Sequence, residues 1–233
     1  MTAPAEDAVG FHSTIATDFG ASYGTDPNRR ERVEFWNGFL DRYTRGVNFA
    51  YDMGCGPGVL SAEIAARGIE VMAIDGSSGM LEVARRTIAD RGLTNVAFEE
   101  RRLPIDAPET LRPAELIISS SVLEYLDSIT EALKGFKTIL KPGGVVIFSI
   151  SNRDSLSRLL ARSVHRLTGR PKYLGFLKHF MTIAGLRGVV EAAGLQFVEA
   201  DYFGRADPLN RNLARFFPPR LSSNMIIVVA RKA

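Results

Sequence analysis

The chain has 233 residues, 45% of them hydrophobic and 24% charged, with a formal net charge of +3. That length accommodates one α/β domain with additions, the favoured reading, or two small ones, around a sizeable core; the composition excludes a largely disordered chain, and the small charge argues against a dedicated nucleic-acid binder. A single cysteine, Cys55, excludes an intramolecular disulfide and speaks against a cysteine-based metal site.

Residues 1 to 10 are small and polar and are expected to fray. They lack a basic segment followed by an apolar core, and no apolar run reaches about 18 residues, so a cytoplasmic protein is the expectation. Phe11, Ile15, Phe19 and Tyr23, then Val33, Phe35, Trp36, Phe39, Leu40 and Tyr43, follow helical spacing. Gly24-Thr25-Asp26-Pro27 divides two helices, with Asp26 as cap and Pro27 in the first helical position.

Strands and helices then alternate. Strands are expected at Val47–Asp52, Glu70–Asp75, Asn95–Glu100, Leu116–Ser120 and Val145–Ser151, with helices at Leu60–Arg67, Ser78–Arg91 and Ile129–Leu140. Short β-branched runs alternating with amphipathic helices imply a parallel sheet covered on both faces. Lys141-Pro142-Gly143-Gly144 stops a helix. Beyond Asn152 come a basic stretch, a helix from Ile183 to Ala193, and strands at Leu195–Tyr202 and Met225–Ala230. Gly204 to Ser223, with Pro208, Pro218 and Pro219, reads as a long loop over a ligand site.

Ligands of such sheets bind outside the carboxyl ends of the strands. Asp52-Met53-Gly54-Cys55-Gly56-Pro57-Gly58 stands at the first of these ends, directly before a helix. Its glycines let the backbone turn sharply and let a ligand lie against it, while the helix N-terminus points free N–H groups at an anionic group near Gly56 to Val59. Asp75 lies roughly 20 residues further on, at the end of the second strand, where an acidic residue can accept hydrogen bonds from ribose hydroxyls; its plainer role is a cap for the helix from Ser78. A nicotinamide fingerprint would need glycine where Val59 stands, and no Gly-Lys-Ser/Thr sequence follows to make a P-loop.

The Asp52–Gly58 turn with Asp75, the segment Glu115 to Tyr125 and Leu140-Lys141-Pro142-Gly143-Gly144 resembles the class I S-adenosylmethionine-dependent methyltransferases. The similarity is greatest to the small-molecule branch typified by ubiquinone and menaquinone biosynthesis enzymes, and it covers about residues 45 to 152. The resemblance implies a Rossmann-like α/β fold with a seven-stranded, mostly parallel sheet, helices on both faces and an antiparallel last strand. It implies one domain: helices 1–44 over the cofactor, a binding core 45–152, a lid insertion 153–182 and a closing segment 183–233.

By the same resemblance Gly54, Cys55 and Gly56 run along S-adenosylmethionine, Asp52 and Tyr23 hold its methionine end, Asp75 holds the ribose, and Gly76, Ser77 and Met80 line the adenine. Ser119 and Ser120 lie beneath the cofactor. Arg102, followed by Leu103, takes the place of the acidic residue usual beside the adenine; arginine can stack there but cannot accept the amino hydrogens. Tyr125 stands where many relatives have histidine.

Methyl transfer from a sulfonium is an in-line displacement that proximity and orientation can largely drive. A hydroxyl acceptor benefits from a base, for which His12, His165, His179, Glu124 and Tyr125 are the candidates, and His179 and Tyr125 are expected to serve in catalysis. No metal-ligand cluster is apparent, and no metal is expected. Residues 155–167 place Leu156, Leu159, Leu160, Val164 and Leu167 on one side and arginines on the other. Such a helix can cover an acceptor pocket, lie on an anionic membrane surface or bind an acidic partner, and its position after the fifth strand favours the first. Nearby Tyr173, Phe176, Phe180, Tyr202, Phe203, Phe216 and Phe217 imply a small apolar or aromatic acceptor, whose carboxylate or phosphate Arg158, Arg162 or Arg205 could meet. O-methylation is favoured, nucleic acid is not expected, and an RNA or protein acceptor or an inactive ligand-binding module of the same fold is the alternative.

Overall fold

The computed structural model describes residues 7–233. Residues 1–6 of the stretch expected to fray lie outside the described residues, whereas Asp7 caps a first helix, its carboxylate accepting the Gly10 N–H at 2.8 Å. The Phe11–Tyr23 periodicity is realised as two segments, α1 (Ala8–Thr14) and α2 (Ala16–Thr25), interrupted at Ile15. Asp26 then caps α3 (Pro27–Tyr43) by accepting the Asn28 N–H at 2.8 Å, with Pro27 in the first turn, where its missing donor costs nothing.

The middle of the chain folds as strand β1 (Phe49–Met53), helix α4 (Val59–Ala65), β2 (Glu70–Asp75), α5 (Ser78–Asp90), β3 (Val96–Glu100), β4 (Ala114–Ser120), α6 (Ile129–Ile139) and β5 (Leu140–Ser151). The remainder supplies α7 (Leu156–Thr168), α8 (Ile183–Ala192), β6 (Gln196–Phe203), α9 (Pro208–Leu213), α10 (Pro219–Ser222) and β7 (Met225–Arg231). The 204–223 segment is therefore not the open loop expected from its prolines. Pro208 and Pro219 each open a short helix, because a proline in the first helical turn forfeits only a donor that has no partner.

The seven strands form one sheet in the order β3-β2-β1-β4-β5-β7-β6. Strands β1 to β5 are parallel, and β7 runs antiparallel between β5 and β6. Successive residues of a strand face opposite sides, so β1 splits cleanly. Phe49, Tyr51 and Met53 join α6 and α8 in one core layer, while Ala50 joins Trp36, Phe39 and Leu40 of α3 and Leu60 and Ile64 of α4 in the other. Trp36, Leu40 and Phe136 are fully buried, each contributing roughly 1.5–3 kcal/mol through the apolar area removed from water. Both faces being covered, the carboxyl edge of the parallel strands is left as the open side.

Candidate active site

A cavity of about 520 Å³ opens at that edge, lined from the ends of β1, β2 and β4, from α1 to α3, and from the segments after β5 and β6. At its floor the Gly54 and Cys55 N–H groups donate to the Ile74 carbonyl at 2.8 and 2.9 Å, lashing the turn after β1 to β2. Gly54 adopts φ +78°, and a Cβ there would overlap the Val122 side chain. Gly58, at φ +75°, precedes α4, and its Cβ would stand 2.9 Å from that of Ala84. Both positions therefore demand glycine on two grounds, handedness and space.

Asp75 closes the turn from the other side. One carboxylate oxygen accepts the Gly56 N–H at 2.8 Å and the other accepts the Ser77 N–H at 2.9 Å. Each oxygen keeps lone-pair capacity toward the cavity, which Asp75 lines. Burial raises its pKa, the Gly56 and Ser77 N–H groups opposing. The helix-capping role falls instead to Ser77, whose hydroxyl accepts the Met80 N–H at 3.1 Å. Asp52 is buried beside the turn, accepts the Ser61 hydroxyl at 2.6 Å, and is pushed up to about 7 by desolvation, the Asp75 charge adding to the rise.

Of the residues expected at the site, Tyr23, Asp52, Gly54, Cys55, Gly56, Asp75, Gly76, Met80, Arg102, Leu103, Ser120 and Tyr125 line this cavity. Three do not. Ser119 is buried, with its hydroxyl donating to the Met53 carbonyl at 2.9 Å, because the strand alternation turns it into the core. Ser77 lies under α1, its hydroxyl 2.6 Å from that of Ser13. His179 stands outside the lining; its Nε2 is 2.9 Å from the Leu126 carbonyl and its backbone N–H donates to Glu124. That geometry removes His179 from the position of an acid–base group. Arg102 reaches the cavity while pairing with Asp7 of the first helix at 2.6 Å.

The cover over the cavity also differs from expectation. In α7 the leucine face points away: Leu160 is 56% and Leu167 87% exposed, and it is Arg158 that enters the cavity. The roof is built by α1 with the 3₁₀ segment Lys172–Phe176, through Phe11 against Phe176 at 5.3 Å and His12 against Tyr125 at 5.4 Å, and by Phe19 and Tyr23 of α2. Of the predicted aromatic surface, Tyr173 and Phe203 line the cavity, whereas Phe216 is 82% exposed.

Sequence reasoning missed Arg29 and Arg32 altogether. The Arg29 guanidinium lies 3.7 Å from the Phe19 ring centroid and 4.9 Å from that of Tyr23, and its Nε is buried without a partner. Burial lowers its pKa. A signal existed: a cation in the first turn of α3 opposes the helix dipole, the kind of local conflict found at functional sites. His12 also lines the cavity, and burial, aided by Arg29, lowers its pKa and favours the neutral ring.

A family described as methyltransferase domain matches residues 51–200. The ubiquinone biosynthesis O-methyltransferase of Paraburkholderia phymatum is 35% identical over 169 residues, 69% of this chain and 69% of that protein. The enzyme of the same name from Acinetobacter baylyi is 33% identical over 127 residues, 53% of this chain and 52% of the relative, so the match spans about half the length of that protein. Magnesium protoporphyrin IX methyltransferase from Synechocystis PCC 6803, with bound SAH, superposes with a TM-score of 0.64 at 14% identity, over 100% of this chain and 90% of that one. At that identity the likeness is one of fold.

Proposed function

The chain belongs to the S-adenosylmethionine-dependent methyltransferases of the methyltransferase-domain family, and from that premise we propose that it methylates a hydroxyl group of a small apolar or aromatic acceptor. The single observation that carries this reading is the Asp75–Gly56 arrangement. A buried carboxylate with both oxygens oriented by backbone donors, facing a cavity beside a glycine turn, suits a ribose diol. The cofactor fits the residues present: Gly56 leaves open space where a Cβ would sit, and the Arg29 Nε lacks a partner where a ligand carboxylate would supply one.

In this reading Gly54, Cys55 and Gly56 lie along the cofactor, Asp52 takes its ammonium end and Tyr23 with Arg29 its carboxylate. Gly76, Met80, Leu103 and Arg102 line the adenine, and Ser120 the region toward the acceptor. Bound there, the cofactor supplies an electrophilic methyl group on a sulfonium. The protein's own part is to fix that methyl against the acceptor oxygen and to keep water away. One domain suffices: residues 7–44 form the cover, 45–152 the cofactor core, and 153–182 the acceptor side. A cytoplasmic location belongs to the same proposal; no helix among the described residues is long and apolar enough to cross a membrane.

The exposed face of α7 supports one addition. Leu160 and Leu167 stand in solvent on a helix that also carries Arg162 and Arg166, a composition suited to the surface of an anionic bilayer from which an apolar acceptor could be drawn.

Calorimetric titration with S-adenosylhomocysteine, followed by transfer of a tritiated methyl group to a panel of phenols and catechols, tests the function. Binding and transfer to at least one hydroxyl acceptor are expected. Absence of binding would sink the methyl-donor reading, and labelling of RNA or protein instead would reassign the acceptor.

A further inference from the structure

The turn after β4 contains a group with chemistry the cofactor half of the site does not use. Glu124, in the one-turn 3₁₀ segment Leu123–Tyr125, is 2% exposed and lines the cavity. Its backbone carbonyl accepts the Lys178 N–H at 2.8 Å and the His179 N–H at 3.2 Å, which fixes the turn. In its side chain, Oε1 accepts the Ser151 hydroxyl at 3.1 Å, while Oε2 is buried without a partner. A buried carboxylate oxygen with no hydrogen-bond partner is costly, and a substrate donor would remove that cost.

Across from it stands Arg158 of α7. Its Nη1 donates to the Tyr173 hydroxyl at 2.8 Å, and its Nε is likewise buried and unpartnered. Among the described residues no carboxylate lies within ion-pair distance of this guanidinium. The acceptor end of the cavity thus holds one free acceptor oxygen and one free cationic donor. Asp75 ends β2 while Glu124 follows β4, two strands that flank β1 and lie about 10 Å apart.

Resting on the reading of this cavity as a methyl-transfer site, we propose that Glu124 Oε2 accepts the proton of the acceptor hydroxyl while Arg158 faces the oxygen that loses it. As the acceptor oxygen bonds the methyl carbon, the carbon–sulfur bond breaks with its electron pair remaining on sulfur. The hydroxyl proton passes to Glu124 and from there to solvent. The groups facing Glu124 are Arg158 from α7, Arg32 from α3, Ser151 from β5 and Tyr125 in its own turn, with Tyr173 beside Arg158. Desolvation pushes the Glu124 carboxyl up to about 7, with Arg158 opposing the rise. A base in that range suits proton transfer from an activated phenol near neutral pH.

The test uses Glu124→Gln and Glu124→Asp in the full chain, with a panel of catechols running from catechol itself to 4-nitrocatechol, whose hydroxyl is already largely ionised at pH 8. Glu124→Gln should keep S-adenosylhomocysteine affinity within threefold and lower kcat on catechol by about 100-fold or more. It should also lose the rise of kcat with pH through about 7 and recover to within about fivefold of wild type on 4-nitrocatechol. Glu124→Asp should fall between. The proposal is overturned if Glu124→Gln retains the wild-type kcat and pH profile, if it loses all acceptors equally, or if wild type binds the demethylated cofactor yet methylates no hydroxyl. Loss of cofactor binding in the wild type itself would instead overturn the methyl-donor reading beneath it. Because the amide removes a buried ionisable group, Glu124→Gln should fold at least as well as wild type above pH 7, and Glu124→Asp keeps the experiment decisive if it does not.

Discussion

Asp75 at the end of β2 accepts the backbone N–H of Gly56 at 2.8 Å, so the carboxylate assigned to the ribose also sets the shape of the glycine turn. Two functions meet in one side chain. Asp75→Ala should weaken S-adenosylhomocysteine binding by about 100-fold, since charge-assisted hydrogen bonds contribute about 1.5–3 kcal/mol. Asp75→Asn, which keeps one acceptor oxygen, should lose less. Isothermal calorimetry on both variants measures the difference, and equal losses would argue that turn geometry alone matters.

The contact between Gly54 and Val122 gives a second test. Gly54→Ala introduces a methyl group into the Val122 side chain at a backbone of φ +78°, and should destabilise the fold by about 2–4 kcal/mol. Val122→Ala makes room. The double variant should recover part of the loss but retain about 1 kcal/mol of backbone strain, a non-additivity that urea melts resolve.

Asp52 should show a stability cost that serves binding. Its folded-state pKa of about 7 lies above the unfolded value of 3.8, so its stabilising contribution is complete below pH 3.8 and is lost as pH rises through 7. Asp52→Asn keeps an acceptor for the Ser61 hydroxyl and removes the titration. Its melting temperature, measured without ligand, should exceed that of wild type by about 5 °C at pH 8 and by progressively less toward pH 4. Cofactor affinity should fall at the same time. A constant difference across that range would show that burial of charge is not the cause.

Glu31 of α3 accepts the backbone N–H groups of Gly204, Arg205 and Ala206 at 2.7 to 3.2 Å, clasping the segment that leaves β6 for the cavity wall. Glu31→Ala strands those donors and should cost about 1–3 kcal/mol. Hydrogen exchange should rise at residues 204–207 and remain unchanged in β1 to β5. Uniform acceleration would point to global destabilisation instead.

The core alternation and the glycine turn were legible because each is a local matter. Two-residue and 3.6-residue periodicities follow from backbone geometry, and only particular residues tolerate a sharp strand-to-helix turn. Strand β2 was read to the residue, Glu70–Asp75, and Asp26 with Pro27 announced the start of α3. The resemblance to the family placed Ser119 and Ser77 at the site, and neither lines the cavity. Each is next in sequence to a cavity residue, yet a neighbour on a strand end or helix cap can point the other way.

The amino-acid sequence by itself determined the sheet, the turn and the acidic residue beside it, since those features are specified by residues close together in the chain. Tertiary structure decided the acceptor end. Glu124 and Arg158 stand 34 positions apart, with no periodicity that joins them; only the folded chain leaves one oxygen and one guanidinium N–H lining the same cavity. It also turned the α7 leucines outward and brought α1 over the site, because which face of an amphipathic helix is covered depends on what the rest of the chain has already buried. The glycine turn thus holds the cofactor by local rules, and the chemistry opposite it arises from residues that meet only once the chain has folded.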